Sequence, residues 1–201
     1  MVSTVIFRDF EERDIDFVFK CKNDEKLNSM IVGDFHNFTY EEAAKWVHGC
    51  MGEHETFKFW AVCMNDEEQR IVGWVSLSQI DNKNSSACHH GIVIGDSNYK
   101  DGTALFESML FSMEYAFDVL NIHRLYGSCL AEHKISPHLL NALGFTLEGK
   151  ERESVFRFNR YLDVLNYSIL RDEYINCKNK GAYEISHAIK KFIKSTKKVR
   201  R

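Results

Sequence analysis

Residues 91–95, Gly-Ile-Val-Ile-Gly, read as a strand ending in glycine, and a polar turn over residues 96–102 leads from it into a long helix. A turn that feeds a helix N-terminus offers backbone amides and the positive end of the helix dipole, which suits a pyrophosphate. Lys100, within the turn, can add a charge-assisted contact. Two histidines, His89 and His90, precede this run. An imidazole with a pKa near ~6.5 can take or give a proton around neutral pH. Neighbours on a strand alternate between its faces, so only one of the two should face a site.

The elements that must position this unit follow from periodicity. Residues 5–8 read as a first strand, and Asp14 predicts the cap of a helix reaching Asn23, with Ile15, Phe17, Val18 and Cys21 apolar. After a loop through Gly33, His36 and Asn37, Thr39 and Glu42 stand at capping-box spacing before a helix bearing Ala43, Trp46, Val47 and Cys50. Residues 57–64 and 71–78 are rich in aromatic and β-branched types and predict a hairpin. With the strand at 87–94 they form three strands in succession, an antiparallel meander. The helix over 103–120 carries an apolar stripe from Leu105 to Leu120, and 124–130 is again a strand. Ser136 as N-cap and Pro137 as first helical residue open a short helix that Gly144 stops. Strands near 150–158 and 163–169 complete the core.

Composition excludes several classes of function. The 201 residues suffice for one domain with a real core, and 44% hydrophobic with 27% charged content is that of a globular chain. A net charge of -3 gives no global attraction to nucleic acid. The six cysteines are scattered without a C-x-x-C pair, which argues against zinc and redox motifs and for free thiols in a reducing cytoplasm. No signal peptide and no membrane-spanning apolar run is evident.

Several runs occur in a telling order: residues 91–96, Tyr99-Lys100, Tyr115-Ala116-Phe117, residues 121–124 (Asn-Ile-His-Arg), Leu143-Gly144-Phe145 and residues 148–153 (Glu-Gly-Lys-Glu-Arg-Glu). Together they resemble the GNAT superfamily of N-acetyltransferases. The nearest subgroup resembles the ribosomal-protein alanine N-acetyltransferases and their small-molecule relatives. The likeness covers residues 5–174, so residues 1–174 are expected to form the acetyltransferase domain. Residues 175–201 are expected to add an amphipathic helix and a basic tail, either solvated or in contact with a partner, an RNA included.

The resemblance implies an α+β, three-layer GNAT fold: a mixed, mostly antiparallel sheet of six to seven strands flanked by helices. It implies acetyl-CoA as co-substrate, with the thioester between strands that splay apart around Ile92 and Tyr126. Ile92, Val93 and Ile94 would pair with the pantetheine arm through their backbone, and the turn of Lys100, Asp101, Gly102, Thr103, Ala104 and Leu105 would hold the pyrophosphate. The family's loop pattern is Gln/Arg-x-x-Gly-x-Gly/Ala. Counted without gaps it falls on Lys100, Thr103 and Leu105; shifted by one, it aligns Gly102 and Ala104 but leaves Tyr99 first.

For catalysis, His89 occupies a place where many relatives carry glutamate; it is a base for the attacking amine or a polar strand residue. His133 stands where relatives often have asparagine, and Ser136 either caps its helix or meets the cofactor. Leu140 replaces the tyrosine that many members use as an acid. The acceptor is expected near Asp34, His36, Asn37, Trp74 and Ser76, the first three being exposed loop residues otherwise. The expected reaction is acetyl transfer to a primary amine of a small molecule such as an amino sugar. Alternatives are a protein N-terminus and non-catalytic acyl-CoA binding. A monomer or homodimer fits equally.

Overall fold

The computed structural model describes residues 3–29, 31–33, 36–96 and 102–184. One sheet has strand order β1-β2-β3-β4-β5-β7-β6. Its strands are β1 (Val5–Arg8), β2 (Lys58–Met64), β3 (Ile71–Asp81), β4 (Ser86–Ile94), β5 (Arg124–Leu130), β6 (Thr146–Arg157) and β7 (Arg160–Leu170). Among these pairings only β4–β5 is parallel. The helices are α1 (Ile15–Lys22), α2 (Glu25–Asn28), α3 (Tyr40–Cys50), α4 (Thr103–Glu114), α5 (Ser136–Ala142) and α6 (Arg171–Asn179). The mixed, mostly antiparallel sheet expected from the sequence is therefore present.

Two apolar layers sandwich the sheet. On one face Phe106, Met109 and Met113 of α4 pack with Val72, Val75, Leu125 and Ile169. On the other, Val18 and Cys21 of α1 and Ala43 and Val47 of α3 pack with Ala61, Cys63 and Trp74. Thr39 opens α3 as expected: its Oγ1 accepts from the Glu42 amide at 3.2 Å, and Glu42 accepts from the Thr39 amide at 2.7 Å.

Some local readings change. Asp14 does not cap α1 with its side chain; Arg8 claims that carboxylate with two bonds of 2.7 and 2.8 Å, and the Glu11 amide donates to it as well. The helix over 103–120 ends as α4 at Glu114 and continues as a π turn, Tyr115–Val119, closed by Leu120 N–H on the Tyr115 carbonyl at 2.9 Å. α6 runs across the boundary expected after residue 174. Its Tyr174 is 1% exposed, stacks on Phe117 at 4.6 Å and donates to Asp118. The basic tail, and most of the helix expected before it, lie outside the described residues.

Glu107 fastens α4 to the segment that leads into β1. This buried carboxylate of α4 accepts from Ser3 Oγ, from Thr4 Oγ1 at 2.8 Å and from the Thr4 and Val5 amides at 3.1 Å. Removing the acceptor leaves the buried Val5 amide unpaired. Glu107→Ala is expected to lower stability by about 3 kcal/mol in urea unfolding, measured against wild type.

Candidate active site

β4 and β5 pair over three positions only, Ser86 with Arg124, Ala87 with Leu125 and Cys88 with Tyr126. Beyond them β4 stays with β3 as far as Ile94 and β5 stays with β7 as far as Leu130, so the two strands part company. Gly127 stands where they separate. A Cβ there would lie 3.1 Å from the His89 carbonyl oxygen and 3.7 Å from the His89 Cβ, so glycine permits the close approach.

A cavity of about 590 Å³ fills the gap, within the range of small-molecule sites. Its walls come from His89, His90, Ile92 and Ile94 of β4, Gly102, Leu105 and Met109 at the start of α4, Gly127 to Cys129 of β5, and His133, Ser136, Leu139 and Leu140 around α5. Both histidines of the pair face it, contrary to the alternation expected from sequence. The β3–β4 register explains this: Ser76 faces Gly91 and Leu77 faces His89, so His90 is the extra residue of a bulge.

His89 is half-buried, and its Nε2 is enclosed without a hydrogen-bond partner among the described residues. Burial pushes its pKa down to about 4, so the ring is neutral near pH 7. His133 has a different task. Its Nδ1 accepts from the amides of Ile135 at 3.2 Å and Ser136 at 3.0 Å, so it caps α5. Its pKa is also lowered by burial. The expectation that Ser136 is the cap gives way: Ser136 is the first residue of α5, and it lines the cavity. Cys129, on the opposite wall, has its thiol pushed up to about 11 by burial and stays protonated.

The turn before α4 divides. Gly102 is its N-cap at φ +88°, a left-handed conformation that favours glycine, and Ala104 is fully buried. That arrangement favours the alignment shifted by one over the gapless count. Lys100 and Asp101 lie outside the described residues, as does Asp34. Thr103 begins α4 and is half-buried, and Val93 turns away from the cavity into the layer under α1 and α3. His36 and Asn37 are exposed, His36 stacking on Phe38 at 4.9 Å. Trp74 is buried beside that loop, whereas Ser76 is 1% exposed and enclosed in the sheet.

Sequence reasoning missed Arg157. From the end of β6 its guanidinium donates to the carbonyls of Asn28 at 3.1 Å, Ile31 at 2.8 Å and Gly33, tying the β6–β7 hairpin to the loop after α2. No short motif signals such a contact, because its partners are backbone carbonyls more than a hundred residues away.

The model of the acetyltransferase (GNAT) domain matches residues 4–146. The chain belongs to the GNAT acetyltransferase family. Spermidine N(1)-acetyltransferase of Vibrio cholerae is 25% identical over 178 residues, 88% of this chain and 98% of that one. The uncharacterized N-acetyltransferase YnaD of Bacillus subtilis is 25% identical over 85% of this chain and 95% of its own. In fold, the crystal structure of the Vibrio cholerae spermidine N-acetyltransferase in complex with CoA and spermine superposes with a TM-score of 0.76. It covers 87% of this chain and 99% of its own at 24% identity. As a GNAT N-acetyltransferase the protein uses acetyl-CoA as co-substrate and an amine as acceptor.

The two half-buried histidines make a stability prediction. Their folded pKa values lie below the unfolded ~6.5, so the unfolded chain binds protons first as pH falls. Stability is retained above pH ~6.5 and lost as the pH drops toward ~4. In urea unfolding at stepped pH, a His89→Asn, His133→Asn double variant should show a shallower loss over that window than wild type. An equal slope would show that these rings are not held neutral.

Proposed function

We propose that this GNAT enzyme acetylates the primary amine of a small polar molecule, such as an amino sugar, with the reaction centred where β4 and β5 separate. The observation that carries the reading is the gap itself: a largely apolar cavity that His89, His133 and Ser136 also line. The residues fit acetyl-CoA. One edge of residues 92–94 is taken by β3 and the other faces the gap, ready to pair with an extended pantetheine arm. The α4 N-terminus at Gly102 to Leu105, with Lys100 and Asp101 before it, is assigned to the pyrophosphate. Acetyl-CoA supplies an electrophilic thioester carbon.

The residues around it set the proton's course. An ordinary acceptor amine is an ammonium with a pKa near ~10, and a ring held near 4 cannot deprotonate it in the ground state. The amine must arrive neutral, which a cavity lined by apolar side chains and neutral rings favours. As the new C–N bond forms, the nitrogen becomes far more acidic, and His89 then takes its proton. His90, exposed on the acceptor side, passes it to solvent. Ser136 and His133 are assigned to the departing sulfur, where Ser136 can donate a hydrogen bond; a thiolate of pKa ~8.5 leaves without a stronger acid.

Asp34, His36, Asn37, Trp74 and Ser76 are assigned to the acceptor side, Ser76 only as support from within the sheet. The preference for a small molecule over a protein N-terminus is supported by the tie of Arg157 between the β6–β7 hairpin and the loop after α2. The names of the relatives favour a second reading, a polyamine acceptor. Six free thiols support a reducing setting such as the cytoplasm.

Thiol release from acetyl-CoA should be followed across amino sugars, polyamines, aminoglycosides and peptides. Turnover with at least one small amine is expected, with kcat/KM rising through the acceptor's own pKa. His89→Asn should lower kcat roughly 100-fold while the KM for acetyl-CoA holds. Silence across the panel contradicts the reading.

A further inference from the structure

Lys22 ends α1, and aromatic rings surround its ammonium. Nζ lies 4.5 Å from the ring centroid of Trp46, 5.2 Å from Phe38 and 5.6 Å from Trp74. Ring faces attract a cation electrostatically, the more so once it is partly desolvated. No carboxylate pairs with this ammonium among the described residues; burial lowers its pKa, and the thiols of Cys21 and Cys50 stand beside it. Burial pushes both thiols up to about 12, so they remain uncharged.

The box is built rather than incidental. Asn23 donates to the Phe38 carbonyl at 3.0 Å and accepts from the Phe38 amide at 3.0 Å, fixing that ring's backbone beside α1. The Trp46 and Trp74 rings lie 5.5 Å apart. The box also adjoins the reaction cavity. Phe59 meets Trp46 at 5.4 Å on one side and His90 at 6.5 Å on the other, and His90 lines the cavity.

We infer that Lys22 is a specificity-determining residue of the acceptor side, a fixed ammonium that favours amines carrying an anionic group and disfavours polycations. The inference rests on the transferase reading above and deepens it. A second substrate ammonium brought toward Lys22 meets a like charge in a half-desolvated setting, where such repulsion is strong. It also finds the aromatic box already filled. A carboxylate or phosphate at the same end gains Lys22 as a partner, a place that no carboxylate among the described residues takes. An amino acid or an amino sugar phosphate obeys this rule, whereas spermidine, for which the Vibrio cholerae relative is named, does not.

The test compares three acceptors of one chain length on the wild-type enzyme: pentylamine, cadaverine and δ-aminovalerate. The expected order of kcat/KM is δ-aminovalerate first and cadaverine last, with about tenfold or more between them at low salt. Lys22→Gln should narrow that ratio about tenfold, and Lys22→Arg should preserve it. Cadaverine turned over as well as δ-aminovalerate by the wild type overturns the inference without any variant, and leaves the transferase reading intact. A ratio unmoved in a Lys22→Gln protein that still turns over pentylamine overturns it too. No thiol release with any amine sinks the transferase reading and this inference together.

Discussion

Almost every functional feature of this molecule depends on one constraint: β4 and β5 are paired for three residues and then cannot stay paired. β4 is committed to β3 through Ile94, and β5 to β7 through Leu130. The bulge at His90 changes the course of β4 where pairing with β5 has just ended, and Gly127 removes the side chain that would collide with the His89 carbonyl. The result is a sheet with a wedge opened in it. That wedge is lined by the β4 backbone, by the start of α4 and by His89, His133 and Ser136.

The electrostatics follow from how this wedge is lined. His89 and His133 are neutral because burial disfavours their charged forms, and Cys129 is neutral for the same reason. A neutral cavity suits the meeting of an uncharged amine with a thioester, because neither reactant must shed an ion pair to come together. Charge is instead placed at the margins. Lys22 sits in its aromatic box, and Arg157 binds the carbonyls of the loop after α2.

Much of the fold could be read from the sequence because its signals are local. Thr39 and Glu42 define a cap by spacing, and residues 124–130 form a strand as their pattern implies. Gly144 ends α5 at φ +92°, where a side chain would be strained. The site was legible only in outline. His89, Ile92, Ile94, Gly102, Leu105, His133 and Ser136 do come together around one cavity. Alternation failed at His90 because a bulge depends on the register of the neighbouring strand, which one strand's sequence does not encode. The exchange of capping duty from Ser136 to His133 was hidden because an imidazole is a rare cap. Lys22 and Arg157 were missed because their partners, ring faces and backbone carbonyls, carry no sequence signature.

The most direct measurement is a crystal structure of the protein with CoA bound. The sulfur is expected at the base of the wedge, within reach of Ser136 and facing His89, with the pantetheine arm alongside residues 92–94 and the pyrophosphate at the start of α4. CoA seated elsewhere on the sheet, or a wedge closed by continued β4–β5 pairing, would contradict that placement and the chemistry argued from it.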